Sequence, residues 1–137
     1  MAILVVGSMA YDTVETPHER RERQLGGAAT FFALAAGPRA GVRAVAVVGD
    51  DFRESDLDLL REHGVDLAGV ERAAGPSFHW SGRYHADFIE RDTLATDLGV
   101  FADFQPLVPA DWVRSEYLFL ANIHPGLQGA VLAAVQE

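Results

Sequence analysis

Three short runs, apolar almost throughout, constrain this chain most: AILVV at residues 2–6, VRAVAVV at 42–48 and YLFLA at 117–121. A strand that is apolar on successive residues buries both faces, the habit of a parallel sheet covered by helices on each side. Between the first two runs, AATFFALAA at 28–36 favours a helix that starts on Gly26 and Gly27 and must stop at Gly37 and Pro38, because proline cannot continue it. A second helix is expected after Asp51, with Asp51 as its cap, Glu54 as the reciprocal partner, Leu57, Leu60 and Val65 on its buried side, and Gly64 just past its end. A further strand is expected at 66–71. The order strand, helix, strand, helix, strand is α/β winding. After the third run, a helix from Pro125 carries Leu127, Ala130, Val131, Ala134 and Val135 on one stripe. It meets no stop signal before Val135, Gln136 and Glu137, so the chain is expected to be cut within a helix.

The middle of the chain reads differently. HERRERQ at 18–24 is a charge run expected as an exposed loop. From Phe78 to Phe88 polarity alternates, with Phe78, Trp80, Tyr84 and Phe88 on one face and His79, Ser81, Arg83, His85 and Asp87 on the other. Such a strand belongs at an edge or in a small separate sheet, one side on protein and one facing water or a polar ligand. Residues 90–112 show little periodicity and are expected to form an excursion with strands of its own.

Composition narrows the chemistry. With 137 residues, 49% hydrophobic, the chain can build one core. Its 11 basic residues against 20 acidic ones, net charge -9, argue against nucleic acid as a partner. No apolar run approaches the ~20 residues of a membrane span, and no leader pattern opens the chain, so a soluble cytoplasmic protein is expected. Cysteine is absent, which removes disulfides, thiolate metal sites and cysteine nucleophiles. Every basic residue is arginine, so a Walker-type phosphate loop and Schiff-base lysine chemistry are excluded within these residues. Neither a nucleophile elbow nor a dinucleotide fingerprint is present. His79 and His85 would stand about 20 Å apart on an extended strand, too far to share an ion, and no metal site is expected.

In an open α/β sheet, ligands gather beyond the carboxyl ends of the strands, which gives weight to the loops Gly7 to Asp12, Gly49 to Asp51 and Asn122 to His124. Asp12 there either accepts hydrogen bonds from a pair of ligand hydroxyls or is a strand-end aspartate. Gly26 and Gly27 either let backbone amides approach a ligand at the positive end of a helix or make a loop-to-helix joint. The polar face around Arg83 is either the underside of a lid or a wet surface. His124 reads as a neighbour of a helix cap.

VVGSMAYDTV, LGGAATFFALAA, VRAVAVVGDDF and LREHGVDLAGV stand in the order, and at about the spacing, of the PfkB family of carbohydrate kinases, which includes ribokinase and adenosine kinase. The chain resembles that family over essentially its whole length. SGRYHADFIERDTLATDLGVFADFQP resembles a branch usually labelled only as sugar kinases. The resemblance implies a Rossmann-like, ribokinase-type α/β sheet with helices on both faces and a small β-sheet lid, whose strands lie near 11–17 and 78–104. Residues 1–137 would then be the N-terminal part of a single truncated domain. It implies transfer of the γ-phosphoryl of ATP, with Mg²⁺, to a hydroxyl of a sugar. Asp12 corresponds to the family's substrate aspartate, and Gly26 and Gly27 to its glycine pair. Thr30 stands near the place of the family's usual asparagine, Arg83 is the lid side chain expected at the substrate, and Asn122 completes the substrate-binding candidates. The family's G-A-G-D segment, with its anion hole and catalytic base, is not in these residues. No catalytic residue is therefore expected here, and the chain alone is expected to be inactive. The expected partner is a small sugar or nucleoside, and a homodimer through the lid is a family habit. Two other readings remain: a nucleoside kinase, with Phe31, Phe32 or Trp80 stacking on a base unless they are core, and a non-enzymatic α/β module that binds a small ligand.

Overall fold

A computed structural model describes residues 1–135; Gln136 and Glu137, where the cut end of the last helix was expected, lie outside the described residues. Along the chain come β1 (Ala2–Val6), β2 (Ala10–Glu15), β3 (Arg20–Gly26), α1 (Ala28–Ala36), β4 (Gly41–Val48), α2 (Glu54–Glu62), β5 (Val65–Arg72), β6 (Phe78–Tyr84), β7 (Arg91–Asp97), two short 3-10 turns at Gly99–Asp103 and Ala110–Trp112, β8 (Tyr117–Leu120) and α3 (Pro125–Val135). The apolar runs pair as parallel neighbours in the order β5-β4-β1-β8. α1 and α2 cover one face over Val5, Met9, Ala33 and Leu60, while α3 and the 3-10 turns cover the other over Leu4, Val6, Phe104, Trp112 and Val131. This two-sided covering is why β1 and β4 carry no polar alternation.

The second sheet, ordered β3-β2-β6-β7, is the small separate sheet that the resemblance describes as a lid, and it keeps that label below. β2 runs antiparallel to β3 and parallel to β6, and β7 returns antiparallel along β6. The excursion at 90–112 thus contains β7, as expected.

Several expectations need correction. Residues 20–24, read as part of a loop, belong to β3. An edge strand needs only a backbone ladder, and its exposed ion pairs Arg20 to Glu22 (3.1 Å) and Arg21 to Glu19 (3.2 Å) place charge where a bare edge would attract another strand. β6 stops at Tyr84. Beyond it Phe88 adopts a φ of 57° and the Asp87 carboxylate accepts the Ile89 and Glu90 N–H groups, so Phe88 is a turn residue and not a member of the strand face. Arg53, not Asp51, occupies the cap of α2. Among the described residues β8, expected to be buried, stands at the edge of its sheet, with Tyr117 57% and Phe119 39% exposed. On α3 the stripe narrows to Leu127, Val131 and Val135, with Ala130 and Ala134 exposed.

Candidate functional site

β1 ends against the core and the chain turns through Gly7, Ser8 and Met9 into the lid. The pleat then sends Ala10 and Asp12 to one face of the lid sheet and Tyr11 and Thr13 to the other. The parallel register sets Phe78 beside Ala10 and Trp80 beside Asp12. These side chains form one wall of an open cleft of about 400 Å³, which Tyr84 and Arg91 extend along the lid; Ser8, Gly27, Ala28, Phe31 and Asn122 contribute the side of the α/β body.

Asp12 is half-buried, and among the described residues no hydrogen bond or ion pair engages its carboxylate. Burial pushes its carboxyl above the ordinary 3.8, against a smaller pull from His79. Gly26 makes the position attainable, since a Cβ there would run into the Asp12 carboxylate oxygens. Gly27 answers a different demand. With φ 99° and ψ 141° at the start of α1, it adopts a backbone almost reserved for glycine, and a Cβ would meet the Ser8 carbonyl.

Ser8 is fully buried and links the two body elements of the cleft. Its hydroxyl donates to Asn122 Oδ1 (2.6 Å) and accepts the Ala28 N–H (3.1 Å). With Oδ1 so engaged, Nδ2 is the Asn122 group that can donate to a ligand. On the lid, Gly82 leaves room for the Trp80 indole, which donates to Thr93 Oγ1 (3.4 Å) and has the Arg91 guanidinium 6.0 Å from its ring centre.

Asp12, Gly27 and Asn122 therefore meet at one cleft, with Gly26 beneath Asp12. Thr30 does not line it: the residue is fully buried on the inner side of α1 with Oγ1 unpartnered, and Phe31, one position on, faces the cleft at 58% exposure. Nor does Arg83. It lies on the other side of β6, paired with Glu15 at 3.3 Å, and the basic residue lining the cleft is Arg91. The lid thus turns its aromatic side, not its polar side, toward the cleft. Phe32 stacks on Phe119 with ring centres 4.0 Å apart, away from the lining. His124 accepts the Gly126 N–H at the start of α3 (3.0 Å), the cap-side place expected for it.

Sequence reasoning missed Ser8, Tyr84 and Arg91. A second cleft of about 370 Å³, between β4, β5 and the segment around Phe104 and Leu107, offers Glu71 as its lone charged side chain and no convergent polar set. Among the described residues no group of His, Asp and Glu could hold a metal ion, and Arg91 is the one cation lining the Asp12 cleft. These residues do not fit a triphosphate with its Mg²⁺.

No protein-family model matches the chain, and no curated protein matches it. Solved structures do. An Escherichia coli structure described as ribokinase II, in its apo form, is 14% identical with a TM-score of 0.79, over 98% of this chain and 49% of that one. Ribokinase from Cryptococcus neoformans in complex with ADP is 20% identical with a TM-score of 0.66, over 97% and 44%. The nucleoside kinase of Burkholderia thailandensis in complex with inosine is 22% identical with a TM-score of 0.65, over 74% and 38%. At these identities the likeness establishes the fold, a ribokinase-type α/β body with its lid, as the resemblance implied. The chain spans less than half the length of each of these three structures.

Proposed function

We propose that this chain carries the acceptor-binding part of an ATP-dependent kinase that phosphorylates a hydroxyl of a sugar. The observation that carries the proposal is the half-buried, unengaged Asp12 carboxylate facing a cleft that Asn122 also lines, on a ribokinase-type fold. A carboxylate partly withdrawn from water and without protein partners gains from donors brought by a ligand, and adjacent hydroxyls supply them. Asn122 Nδ2 donates from the body, and Phe78 and Trp80 cover the apolar face of the ring. The residues of this chain bind and orient the acceptor and exclude water from one side of it. The phosphoryl donor in this reading is ATP with Mg²⁺, for which the described residues offer no fitting site.

A nucleoside acceptor is the second reading. It is favoured by Phe31, exposed on the body side, and Trp80 on the lid side of the same cleft. A cytoplasmic location and a homodimer through the lid belong to the same proposal, the latter because β7 leaves an unpaired edge with Leu94 48% exposed. Equilibrium dialysis of ribose and inosine against the chain and its Asp12→Ala variant tests the reading. Saturable binding of either compound, weakened at least about tenfold in the variant, is expected for the loss of a charged hydrogen bond. Binding of neither compound, or undiminished binding by the variant, would overturn it.

A further inference from the structure

The stretch leading into α2, Asp50 to Asp56, touches β2, β3 and the link into β6, where the chain passes between the body and the lid. On β2, the Tyr11 hydroxyl donates to Asp56 Oδ2 (2.6 Å) and accepts the Arg53 N–H (2.9 Å). On β3, Arg23 donates to Asp51 Oδ2 (2.9 Å), and its carbonyl accepts Arg53 Nη2 (2.7 Å). On the link into β6, Asp51 Oδ1 accepts the Ser77 N–H (2.8 Å) and Asp50 Oδ2 accepts the Gly75 N–H (3.0 Å). The Tyr11 ring, fully buried, is stacked on Phe52 at 4.9 Å and has the Arg53 and Arg23 guanidinium carbons 4.5 and 4.8 Å from its centre. Arg23 itself has a φ of 49°, at an irregularity in the pairing of β2 with β3, where its N–H donates to Thr13 Oγ1 (3.2 Å). A bulge of this kind redirects a side chain, here toward Asp51.

Both neighbours of Asp12 are therefore held from behind the lid sheet: Tyr11 by this stretch, and Thr13 by Arg23 and His79. The cleft opens on the opposite face. We infer that Asp51, Arg53 and Asp56 are positioning residues that set the angle of the lid on the body, and with it the distance across the cleft from Asp12 to Asn122. They line no part of the cleft and act only through Tyr11, Arg23 and Ser77. The consequence for acceptor binding rests on the function proposed above; the geometric claim does not.

Because the chain has no cysteine, two introduced cysteines carry spin labels without background. Ala35→Cys on α1 and Ile89→Cys in the turn between β6 and β7, both at exposed positions, report the distance from body to lid by double electron–electron resonance, with labelled chain diluted in unlabelled chain so that only distances within one chain are read. The expected result is one narrow distance in the labelled parent, shifted or broadened by Asp51→Asn and also by Arg23→Gln. Arg61→Gln, which breaks ion pairs within α2, should leave it unchanged. Circular dichroism verifies that each variant is folded, and either of Asp51→Asn and Arg23→Gln suffices if the other is not. An unchanged distance in these folded variants would overturn the inference, as would an equal change with Arg61→Gln. If the distance moves as expected but the parent binds neither ribose nor inosine, the proposed function fails and the positioning role stands.

Discussion

Alanine at Gly26 should separate binding from folding. Gly26 is not in the left-handed region, so an added methyl meets no backbone strain; it meets the Asp12 carboxylate, the end of a short side chain that can rotate away. Overpacking costs about 1–3 kcal/mol, and restricting the unfolded chain returns about 0.4–1 kcal/mol, which leaves a net loss of roughly 0–2.5 kcal/mol. The displaced carboxylate, however, loses a charged hydrogen bond to the acceptor. At about 1.5–3 kcal/mol per bond, affinity falls roughly 10- to 150-fold. Gly27→Ala behaves in the opposite way. It forces a side chain onto φ 99° and into the backbone of Ser8 and Met9, which cannot swing aside. Strain of about 1–3 kcal/mol and overpacking of about 1–3 kcal/mol add to a large share of the 5–15 kcal/mol that typically holds a domain together. Urea unfolding followed by circular dichroism, with acceptor dialysis on the folded variants, measures both. The reasoning is refuted if Gly26→Ala unfolds as readily as Gly27→Ala, or if it keeps the parent's affinity.

The remaining expectations concern charge, packing and turnover. Burial holds the folded Asp12 carboxyl above its ordinary 3.8, so the native state binds more protons than the unfolded chain between 3.8 and that raised value. Stability tied to this group therefore falls as pH rises through the window. Asp12→Asn should be more stable than the parent at neutral pH, with the gap closing below the ordinary value; a parent that is the more stable at neutral pH in urea melts contradicts this. Tyr11→Phe leaves Asp56 and the Arg53 N–H without their shared partner and should cost about 1–3 kcal/mol in the same melts, against no measurable change if the hydroxyl were incidental. Leu60→Ala, at a fully buried position between α2 and the sheet, should cost about 2–5 kcal/mol, and a loss under 1 kcal/mol would contradict the packing described. The 137-residue chain should release no ADP from ATP with a panel of sugars and nucleosides; turnover above a blank would place catalytic groups within these residues.

The central strands were legible because burial on both faces removes polar residues from them, and α1 was legible because Gly27 and Pro38 bracket it. β3 was not legible: alternating arginine and glutamate at an exposed edge carry no apolar signal, and only the β2 ladder makes them a strand. The alternation of β6 showed two faces but not which one a ligand meets. Polarity pointed to Arg83, whereas the polar side is spent on internal pairs, His79 with Thr13 and Arg83 with Glu15. Thr30 and Phe31 differ by one step around a helix, about 100°, which is enough to exchange core for cleft. Asp12 and Asn122 stood out because strand-end loops are few. The bond between Ser8 and Asn122 joins residues 114 positions apart and leaves no local trace.

The most direct test of the proposed acceptor cleft is amide chemical-shift mapping of the chain on addition of ribose and of inosine. The cleft described predicts saturable shifts concentrated at Ser8, Asp12, Gly27, Phe31 and Asn122. Shifts gathered instead around Gly69, Phe104 and Leu107, at the second cleft, or no shifts with either compound, would contradict it.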